Sequence, residues 1–210
     1  MKGFGDLLEG YQRFREKRVR SDRAMWRELA EGQSPRAVII ACSDSRADPA
    51  MVFDTDPGEI FVIRNVANLV PPFEEGGGRH GVSAALEFGV TQLEVPEIVV
   101  MGHERCGGIS AAMTGRFHGA ANGEGGFIAH WMEPIEARAK EITAEHGAGE
   151  VAARMIEWDG IRQSLANLRT FPFVKEREEA GKLKLLGCHF SIGEGCLYLL
   201  DEAEDKFRPI

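Results

Sequence analysis

The chain has 210 residues, 43% of them hydrophobic, which suits one domain with a sizeable core and argues against disorder. Lysine and arginine total 25 and aspartate and glutamate 33, a formal charge of −8, the wrong sign for coating nucleic acid or an anionic membrane. The longest apolar runs, near Ala37–Cys42 and Ile98–Met101, are too short to span a bilayer, and no charged-then-apolar leader opens the sequence. The default expectation is therefore a cytoplasmic protein. There the four cysteines, at 42, 106, 188 and 196, serve metal binding, catalysis or packing rather than disulfides.

Phe4, Leu7, Leu8 and Tyr11 fall at helical spacing, and a second helix is predicted from about Asp22 to Ala30, stopped by Gly32-Gln33-Ser34-Pro35. These helices precede the first strand and suit packing on a second subunit. Ala37–Cys42 is a continuous apolar run, as expected of a strand buried on both faces of a parallel sheet. Glu59–Arg64 and Glu97–His103 read as the next two strands, with Gly76-Gly77-Gly78 a flexible connection and Gly81–Leu93 an amphipathic helix between them. Cys106-Gly107-Gly108 opens another helix. After a glycine-rich loop at 118–126 come helices near 127–146 and 151–170, then a strand over 182–190. Cys196–Leu200 is expected as the final edge strand. Strand alternating with helix predicts an α/β fold with a mostly parallel sheet.

Two of those strands end in metal-ligand chemistry. The first runs into Cys42-Ser43-Asp44-Ser45-Arg46, the third into His103-Glu104-Arg105-Cys106. In open α/β sheets the carboxyl ends of strands gather at one edge, so the two segments are expected to meet. Two thiolates and an imidazole make a good zinc shell, and three protein ligands leave a fourth position open for water, as in a catalytic site. His103 and Cys106 are three apart, so one turn presents both, and the helix start at Cys106 favours its thiolate. Cys42, Asp44 and Arg46 alternate, which in an extended segment would set all three on one side. Asp44 paired with Arg46 would stay ionised and accept a hydrogen bond from the attacking water. Unpaired, Asp44 would be a competent fourth ligand that closes the site. Cys188, His189 and Cys196 are a weaker metal set, because adjacent strand residues point to opposite faces, and core packing is expected there.

With these motifs in view, the chain resembles the β-class carbonic anhydrases. The resemblance rests on Cys42-Ser43-Asp44-Ser45-Arg46, Gly102-His103 and Cys106-Gly107-Gly108. It extends to Gly32-Gln33-Ser34-Pro35, to the run from Pro57 through Asn68 with Val70-Pro71-Pro72 after it, and to the late strand at Gly187. It implies reversible hydration of carbon dioxide to bicarbonate and a proton, one zinc per chain, and a homodimer or higher even-numbered homo-oligomer. It implies one domain over 1–210, with 1–33 a helical arm lying on the partner and 34–210 the α/β core. Matched position by position, Cys42, His103 and Cys106 are the zinc ligands and Asp44 and Arg46 the dyad. Gln33, Phe61 and Val66 line the substrate pocket, Gln33 from the neighbouring subunit. Many relatives have Tyr where this chain has Phe88. Some are inhibited by bicarbonate in a pocket built from Trp, Arg and Tyr; here those positions hold Ile39, Arg64 and Phe190, which does not support that inhibition. A neutral shell with two thiolates is a weaker Lewis acid than an all-His one, so turnover is expected to rise through mildly alkaline pH. Two other readings are a carbon disulfide or carbonyl sulfide hydrolase on the same scaffold and a non-catalytic zinc-binding assembly module.

Overall fold

The computed structural model describes residues 3–76 and 80–210; Gly77 and Gly78 of the expected flexible connection lie outside them. The chain begins with α1 (Phe4–Phe14), a π-helical turn over Arg15–Val19, and α2 (Arg23–Glu31). The Asp22 carboxylate caps α2 by accepting the Met25 N–H at 3.0 Å. Edge-on packing of Phe14 against Trp26, ring centroids 5.4 Å apart, joins the two helices. Phe4, Leu7, Leu8 and Tyr11 are all exposed, so the apolar stripe of α1 faces away from its own chain.

Among the described residues the sheet has six strands, β1 (Ala37–Cys42), β2 (Ile60–Asn65), β3 (Glu97–His103), β4 (Lys184–Ser191), β5 (Cys196–Asp201) and β6 (Lys206–Pro209), in the order β2-β1-β3-β4-β5-β6. The first four are parallel and the last two antiparallel. All six residues of β1 are buried, as a central strand covered on both faces requires. Val38 and Ile40 join the larger core with Ile98, Val100, Ile161 and Leu165, while Ala37, Ile39 and Ala41 pack on the opposite face with Met101 and Cys188.

The helices after β1 are α3 (Pro49–Val52), α4 (Gly81–Glu87), α5 (Gly107–Thr114), α6 (Gly126–His146), α7 (Glu150–Leu168) and α8 (Pro172–Glu179). The amphipathic stretch at 81–93 buries Leu86 and Val90 as expected, but its last turn, Phe88–Gln92, is π-helical. Two elements correct the sequence reading. β5 is not the edge, because Lys206–Pro209 pairs with it, Tyr198 opposite Pro209 and Asp201 opposite Lys206. Charged residues and a proline suit an edge strand, and its one large apolar side chain, Phe207, stacks on Trp158 at 4.8 Å. The predicted helix to 170 ends at Leu168, and α8 begins with Pro172 in its first turn, where the missing N–H costs nothing.

Candidate metal centre

β1 and β3 are adjacent and parallel, so their carboxyl ends deliver Cys42 and His103 to the same edge. Cys106 follows as the cap of α5. Among the described residues these three form a group whose ligand atoms lie within 4.8 Å of one another, all buried. The Cys42 and Cys106 sulfurs are 3.9 Å apart. Two sulfurs about 2.3 Å from a shared tetrahedral ion stand about 3.8 Å apart, so the spacing already suits zinc. His103 Nδ1 faces the Glu104 carbonyl at 2.9 Å and donates to it, which leaves Nε2 to act as ligand. That Nε2 is buried with no hydrogen-bond partner among the described residues.

The donor chemistry fits as well. The Cys106 S–H and the His103 ring, helped by the backbone N–H groups of Asp44 and Ala67, outweigh burial and hold the Cys42 thiol well below the usual thiol range. The thiolate beside it then drives Cys106 upward, reinforced by burial. Two thiols this close do not both ionise unaided, and a divalent cation removes that conflict. Three non-glycine residues hold the surrounding loops in the left-handed region, Ala67 at φ 63°, Asn68 at φ 49° and Arg105 at φ 55°, strain of the kind that collects at functional sites.

Asp44 and Arg46 do pair, with Nε and Nη2 of Arg46 on the two carboxylate oxygens at 3.0 and 2.6 Å. The expected geometry was different. The extended backbone ends at Asp44, which caps a 3₁₀ turn over Ser45–Ala47 and also accepts the Arg46 N–H at 2.9 Å. The turn, not strand alternation, sets the guanidinium beside the carboxylate. Arg46 holds Asp44 well below the usual carboxylate range. Arg46 Nη2 also donates to the Arg105 carbonyl at 3.2 Å, tying the pair to the loop between the two β3-side ligands. Asp44 is not a member of the three-residue group.

The remaining sequence-predicted residues divide. Val66 directly follows β2, whose last residue, Asn65, is opposite Cys42; Trp131 fixes it by donating to its carbonyl at 2.7 Å. Phe61 is opposite Val38, four rungs from the Cys42 pair, about 13 Å along the sheet at about 3.3 Å per residue. It lies beside Phe88, centroids 5.8 Å apart. Gln33 precedes β1 and so stands at the other end of the strand from Cys42. Within one chain the structure therefore brings Val66 to the centre and leaves Phe61 and Gln33 away from it.

The charged residues between the ligands, Glu104 and Arg105, are structural ties. The Glu104 carboxylate accepts the Gly193 N–H at 2.7 Å and the Ser191 hydroxyl at 3.1 Å, binding the β4–β5 turn to the ligand loop. Arg105 pairs with Glu150 at 2.7 Å. Sequence reasoning also missed Glu157. It accepts the Cys106 N–H at 3.1 Å and bonds His189 at 2.9 Å, both in the interior. An acidic residue inside a mixed helix carries no signal of such a role. Cys188 packs in the core, as expected.

Residues 37–197 match the carbonic anhydrase protein family. A carbonic anhydrase of Pseudomonas aeruginosa is 36% identical over 96% of this chain and 90% of its own. The mitochondrial beta carbonic anhydrase 6 of Arabidopsis thaliana is 33% identical over 96% of this chain and 69% of its own. Among solved structures, the β-carbonic anhydrase CcaA superposes with a TM-score of 0.89 at 31% identity, covering 99% of this chain and 92% of that one. A tetrameric β-carbonic anhydrase of Sordaria macrospora gives 0.80 at 26% identity, covering 94% and 96%. Neither the carbon disulfide hydrolase reading nor the non-catalytic module draws support from these matches. The match spans both ligand-bearing strand ends and the whole parallel sheet, and the chain belongs to the β-carbonic anhydrases, enzymes of the reversible hydration of carbon dioxide to bicarbonate and a proton.

Proposed function

We propose that this chain hydrates carbon dioxide at one zinc ion held by Cys42, His103 and Cys106. The observation that carries the assignment is the buried His103 Nε2, without a partner among the described residues, in a group that includes two sulfurs 3.9 Å apart. Zinc bound there would supply a Lewis acid that makes water nucleophilic near neutral pH. The chain's own residues do the rest. Asp44, kept ionised by Arg46, accepts a hydrogen bond from the attacking water and turns its lone pair toward the substrate carbon. Arg46 holds that carboxylate away from the metal by occupying both of its oxygens. Val66 provides apolar wall, which suits a small linear substrate without charge.

Phe61 and Gln33 serve, in this reading, the centre of a second copy. The half-buried Phe61 with the exposed Phe88, and the exposed apolar stripe of residues 4–11, are the surfaces that a homodimer or higher even-numbered oligomer would cover. Residues 1–33 act as the arm and 34–210 as the core of one domain. A cytoplasmic site of action is consistent with the acidic charge and with four free cysteines. Among the described residues no helix is long and apolar enough to cross a membrane.

The deciding experiment is stopped-flow carbon dioxide hydration on protein of measured zinc content. Cys42→Ser, His103→Ala and Cys106→Ser are each expected to lose zinc and activity together. Full activity in metal-free protein would refute the assignment.

A further inference from the structure

α7 approaches β3 and β4 where both strands carry glycine. A Cβ at Gly102 would stand 2.8 Å from Ile161 Cδ1, and one at Gly187 2.8 Å from Ile161 Cγ2. Glu157 is one helical turn before Ile161 and shares its face. The close approach that seats Ile161 on the sheet therefore lowers a carboxylate into the interior, where Glu157 is 4% exposed. A carboxylate so placed needs hydrogen bonds to offset the loss of water. Glu157 has two. The Cys106 N–H donates to Oε1 at 3.1 Å, and His189, fully buried on β4, donates from Nε2 to Oε2 at 2.9 Å. Trp158 packs edge-on against the His189 ring at 6.3 Å and keeps it in place.

We propose that Glu157, held by His189, is a positioning residue of the metal centre: its carboxylate fixes the Cys106 backbone and thereby the direction of the Cys106 sulfur toward Cys42 and His103. It touches neither substrate nor ion and acts through Cys106. The proposal rests on reading Cys42, His103 and Cys106 as the metal ligands. The loop gives it a reason. Arg105, between the two ligands, is in the left-handed region, so the segment is strained and would relax without an anchor. The Cys106 N–H is also one of the donors that a helix start leaves without an intrahelical partner. An apolar side chain would fill this interior more cheaply than a buried ionisable pair. Retaining a carboxylate aimed at a ligand's own amide is what orientation of that ligand requires.

The test measures zinc affinity by competition with a chromophoric chelator, together with the thiolate-to-cobalt charge-transfer band of cobalt-loaded protein. Glu157→Ala is expected to raise the zinc dissociation constant about 10- to 100-fold, the usual effect of losing a ligand's outer partner. Glu157→Gln keeps an acceptor for the Cys106 amide and is expected to restore most of that loss, to within about fivefold of the parent. Ser164→Ala removes a different buried polar contact of α7 and is expected to leave zinc affinity unchanged, which separates positioning from general loosening of the helix. Parent-like affinity and an unshifted cobalt band in Glu157→Ala would overturn the proposal, as would a Glu157→Gln variant no better than Glu157→Ala. Should Glu157→Ala not fold, His189→Leu removes the carboxylate's second anchor and should weaken zinc binding about threefold or more; unchanged binding would overturn it. A parent protein that binds no zinc and shows no thiolate band would instead refute the ligand assignment itself.

Discussion

Arg64 donates from Nε to the carbonyl of Cys42 at 2.7 Å, so a side chain of the outer strand β2 fixes where the ligand strand β1 ends. Its Nη2 reaches the Asp44 carbonyl, also at 2.7 Å, and its Nη1 the Asp48 carboxylate. One half-buried guanidinium thus spans the ligand, the dyad and the cap of α3. Arg64→Met keeps the aliphatic stem and removes every donor. Hydrogen bonds from a charged donor contribute about 1.5–3 kcal/mol net, and partial exposure places this set near the low end. The variant is expected to lower the urea midpoint by an amount corresponding to about 2 kcal/mol with an unchanged slope. An unchanged midpoint would show that the three contacts contribute nothing net.

Asp44 is held by Arg46 through a turn and is not one of the clustered ligands. Its removal should therefore leave the metal in place. Asp44→Ala is expected to retain zinc while turnover falls about tenfold or more, since a positioned acceptor of this kind contributes at least that much. The measurement is stopped-flow hydration normalised to zinc content. Unchanged turnover would remove the dyad from the mechanism.

The metal ligands were legible because two rules converge on them. Ala37–Cys42 and Glu97–His103 read as buried strands, and strand carboxyl ends meet at one edge of a parallel sheet. Distance along a strand was less legible. Residue alternation says which face Phe61 shares but not how many rungs separate it from Cys42, and only the register, Val38 opposite Phe61, settles that. Alternation predicts the Asp44–Arg46 pair for the wrong reason, because the extended backbone ends at Asp44 and a turn, not a strand, carries Arg46. β6 was missed because Lys206-Phe207-Arg208-Pro209 has one large apolar residue and no alternation to read. His189 is buried, as its place on β4 predicts, but its partner Glu157 is not legible, because nothing in a helix rich in polar residues marks which carboxylate the glycines of neighbouring strands draw inward.

Cys188 is 1% exposed on β4, and burial pushes its thiol up to about 12. In the unfolded chain a thiol titrates near about 8.5. Between those values the unfolded chain gives up a proton that the folded chain keeps, so rising pH favours unfolding. The stability associated with the neutral thiol is complete below about pH 8.5 and is lost as pH climbs toward the folded value. Cys188→Ala cannot titrate and removes this component. The urea midpoint of the parent, taken relative to that variant, is expected to fall as pH rises above about 8.5. Parallel pH dependence of the two proteins would show that the thiol is not shielded.

Glu104 binds the β4–β5 turn to the ligand loop. The Gly193 N–H, Ser191 and, at 3.8 Å, the Arg154 guanidinium converge on its carboxylate. The Gly193 N–H has the largest share in keeping Glu104 below the usual carboxylate range. The main chain of Glu104 is fixed separately, its N–H donating to the Phe190 carbonyl at 2.9 Å and its own carbonyl accepting from His103. Removing the carboxylate should therefore free the turn while leaving the His103 ring oriented. Glu104→Ala is expected to speed hydrogen exchange at the Gly193 amide about tenfold, the equivalent of about 1.4 kcal/mol of lost protection, a size typical of a hydrogen bond to a charged acceptor. Zinc content should stay at the parent level, because the backbone bonds that place the ligand remain. Unchanged exchange at Gly193 would mean that the turn is held by the strand pair alone. Lost zinc would mean that the carboxylate, rather than the main chain, positions His103.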